Sequence, residues 1–271
     1  MANMFLASAL ISDAATLLDS SAAAGSLPIK NLQRRAIGAV TRFLTPSGCY
    51  VVADIGAAQS VDFIGLLGHN ASNSGSVVVT AADALEDLED TPDYDSGSLR
   101  LRSNIVAPAF EDVGSLVRNH FMLRLPSAVS YRYWRIEMED TAIPYLDVGR
   151  LYISKAFEPE TNMSYGLQEG VIDPSTVART VSGRVVPNTR PVYRYADFQL
   201  SFATEDEMFG AAYDLDTLCG TTKDVFFVQD YANKNLLQKR SLYGNMRSLS
   251  PVINTSFQRF EKRYRIEEMV A

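Results

Sequence analysis

The pattern of apolar and polar positions predicts a chain built mostly from β-strands. Residues 50–73 contain two apolar runs, 50–55 and 61–67, with a glycine between them and a polar loop after them. Runs of this length bounded by polar or glycine positions are typical of buried strands. We therefore predict two neighbouring strands joined by a tight turn at Gly56. Such a pair indicates a β-sandwich core that presents loops.

Alternation of side chains supports the same fold class. In residues 131–139, Trp134, Ile136 and Met138 share one face, and we predict that they point into the core. Other segments of the first half are predicted as strands at 4–11, 41–43, 77–80, 99–106, 120–125 and 148–154.

The second half differs in texture from the first. Residues 156–176 contain two prolines, two glycines and no clear period, which indicates a linker or an arm. Thr204 can cap a helix over 204–218, because acidic residues fill its first turn. Strands are predicted around this helix at 177–186, 192–203, 225–229, 241–246 and 257–269. The predicted division is a domain at 1–155, a linker or arm at 156–176 and a β-rich α+β domain at 177–271.

Composition narrows the possible functions. A net charge of −7 argues against a nucleic-acid partner, since phosphate binding requires basic surfaces. Asp13 interrupts the apolar N-terminus early, and no apolar window is long enough for a membrane span, so we expect neither an export signal nor membrane insertion. Cys49 and Cys219 are expected as free thiols, and no zinc site is predicted.

Two segments concentrate charge. Residues 83–95 hold seven acids, but the calcium-loop pattern fails at Gly97 and Asn104, so we predict a solvated acidic loop. Residues 234–265 hold eight basic side chains against Glu261 alone. This basic segment is predicted either as a solvated strand face or as an electrostatic contact with an acidic protein. The candidate assembly contacts are Arg240, Arg259, Lys262, Arg263 and Arg265.

The chain contains no convincing catalytic constellation. It has no nucleophile-elbow, phosphate-loop or dinucleotide-binding motif. His69 follows a strand in a polar loop without an identifiable nucleophile or orienting partner. Glu137 and Glu139 share a strand face roughly 7 Å apart, which suits surface acids or, alternatively, a polysaccharide hydrolase. We therefore predict a non-enzymatic protein without catalytic residues, cofactor or metal.

The first half resembles the discoidin-like, or galactose-binding-like, jelly-roll family. The similar segments are SLPIKNL at 26–32, YVVADIGAAQSVDFIGLLGHN at 50–70, YRYWRIEM at 131–138 and VGRLYIS at 148–154. The resemblance implies a mainly β fold with an N-terminal jelly-roll β-sandwich. The wording around the Gly-His-Asn triplet at 68–70 is similar to copies encoded by tailed bacteriophages.

The second half is similar to distal-tail and tail-tip components of such phages. The resemblance implies a structural subunit of the virion at the tail tip or baseplate, assembled in the bacterial cytoplasm. Its implied partners are other tail or baseplate proteins and copies of itself. The alternative that the resemblance allows is a carbohydrate-binding receptor module, with His69, Asn70 and Asn73 as ligand-binding residues and a host-surface glycan as the ligand.

Overall fold

The computed structural model describes residues 3–20, 25–102 and 119–270. The described chain is mainly β, as predicted. Its strands are β1 (Phe5–Ser8), β2 (Thr16–Ser20), β3 (Thr41–Phe43), β4 (Cys49–Leu67), β5 (Ser76–Ala82), β6 (Tyr94–Asp95), β7 (Leu99–Arg100), β8 (His120–Glu139), β9 (Leu146–Val148), β10 (Arg150–Ser154), β11 (Gln168–Ile172), β12 (Thr176–Arg179), β13 (Val185–Asn188), β14 (Tyr193–Ala203), β15 (Asp224–Val228), β16 (Ser241–Met246), β17 (Ile253–Ser256) and β18 (Arg259–Glu268).

Helical segments are few. They are α1 (Leu10–Ala14), a 3-10 turn (Ile29–Gln33), α2 (Asp87–Asp90), a π-helical segment (Glu207–Ala212) and α3 (Tyr213–Cys219). Within the described ranges, no helix is both long and apolar enough to cross a membrane.

The first sheet has the order β10-β4-β8-β5-β6, with β2 beside β4 and β7 beside β5. Its long strands β4 and β8 pair from Cys49↔Met138 to Leu67↔His120. The predicted turn at Gly56 is therefore wrong, and so is the division of 120–139 into two strands. Gly56 has φ +83° within a register shift, because both halves of β4 pair with the same continuous partner.

The first sheet packs against a small sheet formed by β3 and β9. Trp134, Ile136 and Met138 are almost fully buried in the shared core, which confirms their predicted orientation. They meet Phe43 and Leu146 from the small sheet. Alternation along β8 thus places one apolar face inside the sandwich and leaves the opposite face outside.

The second sheet has the order β1-β15-β16-β18-β14-β11, with β17 beside β18. Strand β1 comes from the N-terminal end of the chain, yet it pairs with β15. Strand β11 lies within the predicted linker 156–176 and forms the edge beside β14. The domain division remains a prediction, and these two pairings show that both its first and its middle segment contribute strands to the second sheet.

The predicted helix at 204–218 is present and covers this sheet. Thr204 and Glu207 form a capping box, in which the Glu207 carboxylate accepts from the Thr204 backbone N–H at 2.8 Å. Met208 and Leu215 are buried, whereas Leu218, predicted on the same stripe, is exposed. The π-helical segment causes this difference, because its wider turns rotate the buried stripe. Gly220, at φ +55°, follows the last helical residue.

The two sheets meet in a buried junction. Phe63 of the first sheet stacks on Phe226 of the second with ring centroids 5.8 Å apart, and Phe5 lies 5.2 Å from Phe63. Beside these rings, the fully buried Arg150 donates to both oxygens of Asp224 across the junction. Apolar packing and a buried ion pair therefore join the two sheets into one body.

Candidate functional site

The predicted ligand residue His69 lies inside the molecule. It is 4% exposed, and its Nδ1 accepts a hydrogen bond from the Ala71 backbone N–H at 3.3 Å. Burial disfavours the charged imidazolium and lowers the pKa of His69 to about 3. His69 is thus inaccessible to a surface ligand, which corrects its predicted role.

The neighbouring polar residues stabilise the loop itself. The Asn70 amide donates to the Tyr145 carbonyl at 3.2 Å and accepts from the Asp147 backbone N–H at 2.8 Å. The buried Asp140 carboxylate accepts from the backbone and hydroxyl of Ser72. These contacts hold the Gly-His-Asn triplet as a structural corner. Asn73 is exposed at this loop, and its ligand-binding role remains a prediction.

The candidate assembly contacts are largely neutralised within the chain. Lys262 is 2% exposed and its ammonium bonds the Asp216 carboxylate, so it cannot meet a neighbouring protein and this member of the set is corrected. Its side chain points inward because β18 alternates between the two sides of the second sheet. Arg263 is exposed but forms a two-pronged ion pair with Asp197, at 2.6 and 2.8 Å.

The other three arginines differ in exposure. Arg265 pairs with Glu267 at 3.1 Å, and the exposed Arg259 donates to the Phe202 carbonyl at 3.1 Å. Arg240 is half-buried beside β16. Their contact role remains a prediction, and the internal pairs weaken the argument from excess charge.

A different arrangement stands out on the outer face of the first sheet. Because the buried residues of β8 alternate with outward ones, Arg135 and Glu137 point away from the core. The register places Thr80 of β5 and Val52 of β4 beside Arg135, while Tyr50 lies beside Glu137. Three strands thus bring charged, hydroxyl and aromatic side chains into neighbouring rows.

Helix α2 builds a wall over this face. Leu88 anchors the helix, since it is 3% exposed and packs with Val52 and Ala82. The next residue, Glu89, then reaches across the sheet to form an ion pair with Arg135. The acidic segment predicted as a solvated loop therefore includes a short helix with a structural anchor.

The resulting Arg135 cleft has a volume of about 450 Å³. This volume lies within the range of about 300–1,000 Å³ that is common for small-molecule sites. Arg135 forms a second ion pair with Glu137 at 2.9 Å, and its guanidinium lies 4.2 Å from the centre of the Tyr50 ring. Its walls include Val78, Thr80, Leu88, Glu89, Asp90, Pro92, Asp95, Arg135 and Glu137.

The Arg135 cleft has the chemistry of a polar binding site. Carboxylates accept hydrogen bonds from hydroxyl groups, and a guanidinium donates them. Glu139 is exposed outside the cleft, and Glu137 is paired with Arg135, so the cleft does not present the two acids together as a hydrolase would require. No cluster of three or more potential metal ligands occurs among the described residues.

Sequence reasoning identified the outward face of β8 but missed the cleft. The alternation of Tyr133, Arg135 and Glu137 was a usable signal for that face. The pairing of Thr80 with Arg135 and the anchoring of Leu88 depend on contacts between distant segments, and local patterns do not reveal them.

No family model and no curated protein matches this chain. Among solved structures, it is similar to an f-lectin from striped bass (Morone saxatilis) serum, with a TM-score of 0.40, 9% identity and coverage of 96% of this chain and 92% of the lectin. The family 32 CBM of Clostridium perfringens NanJ, solved with galactose, gives 0.38, 10%, 55% and 99% for the same quantities. CBM32-1 from a family 31 glycoside hydrolase of the same organism gives 0.36, 12%, 52% and 94%. At these identities, the likeness concerns the fold.

Proposed function

We propose that this chain is a non-catalytic carbohydrate-binding protein and that the Arg135 cleft is its binding site. One observation supports the proposal most directly: the cleft combines carboxylates, a guanidinium, a hydroxyl and an aromatic ring within one surface depression. A sugar presents hydroxyl groups that both donate and accept, and its C–H faces pack on aromatic rings. The cleft offers a partner for each of these features.

The charge of the cleft indicates which sugars it accepts. Its four carboxylates belong to Glu89, Asp90, Asp95 and Glu137, and Arg135 is its one cation among the lining residues. A surplus of negative charge disfavours uronic and sialic acids by repulsion. We therefore expect neutral or amino sugars as ligands.

The test compares two matched substitutions on β8. Glu137→Gln removes a carboxylate inside the cleft, whereas Glu139→Gln removes one that lies two residues further along the same strand and outside it. A glycan array followed by isothermal titration should show binding of neutral or amino sugars by the wild type. Glu137→Gln should weaken this binding about tenfold or more, since hydrogen bonds to charged groups contribute about 1.5–3 kcal/mol.

The matched control should bind as the wild type does. Equal losses in both variants, or wild-type binding of acidic glycans alone, would contradict the assignment of the cleft. An array without any bound glycan would contradict the function itself.

A second candidate function is that of a structural subunit, at the tail tip or baseplate of a bacteriophage virion. The specific observation in its favour is a run of exposed residues, 176–192, attached to a body whose two sheets are joined by a buried junction. A firm body with a protruding segment suits a protein that joins neighbours in an assembly. The proposed partners are other tail proteins and copies of itself, and the proposed location is the virion, after assembly in the bacterial cytoplasm.

This second function is tested on purified particles. Antibodies against the chain should label one end of the tail in electron micrographs, and the chain should co-sediment with tails. Its absence from purified tails would overturn the structural role while leaving carbohydrate binding open.

A further inference from the structure

A protruding hairpin, which we call the arm, occupies residues 176–192. Strands β12 and β13 pair within it from Thr176↔Asn188 to Arg179↔Val185. Just before it, β11 pairs with β14 from Gln168↔Asp197 to Ile172↔Tyr193, so the arm continues the same long hairpin beyond the edge of the second sheet. At about 3.3 Å per residue, the eight residues from 173 to 180 extend about 26 Å from that edge.

The arm packs on no part of the body that would bury its side chains. Every residue from 176 to 192 is exposed. Val177 and Val181 are among its exposed apolar side chains, together with Val185 and Val186. An isolated two-stranded hairpin is at best marginally stable in water, and clustered exposed apolar residues indicate an interaction surface. The arm therefore requires a partner that covers its valines.

The charge of the arm restricts the identity of that partner. Arg179, Arg184 and Arg190 are its charged side chains, and none of them forms an ion pair with a carboxylate of the described residues. The whole chain carries −7, so its remainder carries −10 without these three arginines. Other copies of the same chain thus present a surface of opposite charge.

One face of the described chain combines the features that the arm lacks. On the helix that covers the second sheet, Phe209, Tyr213 and Leu218 are about half exposed. The acids Glu205, Asp206 and Asp214 are exposed on the same helix, which contains no basic residue between 204 and 219. This helix face is apolar and acidic, whereas the arm is apolar and basic.

The arm and the helix face are attached to opposite ends of one strand. The arm joins β14 at Tyr193, and the helix begins after its last residue, Ala203. Eleven residues of strand span about 35 Å. Complementary surfaces placed apart in this way suit a head-to-tail contact between copies, which closes into rings or extends into filaments.

We propose that the arm of one copy binds the apolar and acidic helix face of a second copy. The inference rests on the second candidate function, because it names the neighbour that the structural subunit would contact. Its valines would cover the exposed aromatic and leucine side chains, and its arginines would meet the carboxylates. Such a contact weakens as salt rises, because exposed charges are screened.

The test measures the mass of the full-length chain by light scattering coupled to gel filtration, at about 1–100 μM. The wild type should exceed the monomer mass of 29.9 kDa and should dissociate with increasing salt. The arm variant Arg179→Glu/Arg184→Glu should raise the apparent dissociation constant at least tenfold. The control Arg34→Glu/Arg100→Glu changes the net charge equally, at exposed positions outside the arm, and should associate as the wild type does.

A mixing experiment tests the pairing itself. The helix variant Glu205→Arg/Asp214→Arg should also fail to associate alone, while an equimolar mixture with the arm variant should associate again. In that mixture, the reversed arm meets the reversed helix face, and the two unchanged surfaces meet each other. Far-UV circular dichroism checks that every variant remains folded.

A wild type that remains monomeric over the whole range would overturn the proposed self-association. So would a mixture that stays monomeric although each variant is folded. If the monomeric chain still co-sediments with tails, the structural role stands with a different neighbour. Association without any presence in tails would separate the two conclusions in the opposite direction.

Discussion

The buried ion pair at the junction predicts a large loss of stability when its acid is neutralised. Asp224→Asn keeps the size of the side chain but removes the charge that faces Arg150, whose side chain is 0% exposed. Breaking a buried pair in this way costs about 3–5 kcal/mol. Asp13 still contacts Arg150 at 2.6 and 2.8 Å, so we expect a value near the lower end, about 3 kcal/mol.

Urea unfolding measures this loss, with two signals that report on different regions. Trp134 is the one tryptophan and lies in the core of the first sheet, so its fluorescence follows that sheet alone. Far-UV circular dichroism follows both sheets. The matched control is Asp147→Asn, whose partner Arg42 is partly exposed, and this substitution should cost only about 0.2–1 kcal/mol.

A double variant separates the charge from the packing. Arg150→Met/Asp224→Asn removes both charges, so its cost should be smaller than the sum of the two single costs, by more than about 1 kcal/mol. The reasoning is refuted if Asp224→Asn costs no more than the surface control. It is refuted as well if the two single costs simply add.

Three further predictions concern burial. The unfolded chain binds a proton on His69 near pH 6.5 and the folded chain only near its lowered pKa of about 3, so stability should fall by about 1.4 kcal/mol per unit as pH drops below 6.5, and urea titrations of His69→Gln should show a flatter slope; parallel curves would exclude this cause. Burial raises the pKa of Cys49 to about 12 and that of Cys219 to about 11, so neither thiol should react with a disulfide reagent near pH 8 until the chain unfolds, and rapid labelling of the folded chain would contradict this. Gly244→Ala should lower the melting temperature because the new methyl group would collide with the backbone of β18, whereas Gly210→Ala meets open space and should raise stability by about 0.5–1 kcal/mol; equal melting temperatures would contradict the steric argument.

Local patterns predicted most strands of this chain and several of its buried faces. Trp134 is the clearest case, because strict alternation around it requires one face of β8 to be buried. The helix after Thr204 was equally predictable, since its cap and its acidic first turn lie within four residues. Such features depend on neighbours in sequence, and a single sequence contains that information.

Features that depend on distant partners were not predictable in this way. A glycine between two apolar runs suits a turn as well as a bulge, and β8 decides between them at Gly56 by pairing along both halves of β4. The Arg135 cleft depends on the register of three strands and on Leu88, which brings Glu89 over the sheet. Burial of Lys262 follows from which face of β18 the helix covers, and the basic composition of the segment suggested the opposite.

Strand β1 shows why the two halves of this chain form one body. Its local pattern predicts a strand but no partner, and the partner is β15. Its other edge is closed by Phe157, since Leu6 and Phe157 exchange backbone hydrogen bonds of 2.9 and 2.7 Å. Phe5 extends from the same strand into the junction, against Phe63 of the first sheet. The second sheet is therefore complete only when the N-terminal segment has paired with it, and the sandwich lies between those two segments in the chain. For this reason we expect the two sheets to unfold in one transition, with Trp134 fluorescence and circular dichroism changing together, until a substitution such as Asp224→Asn weakens the junction.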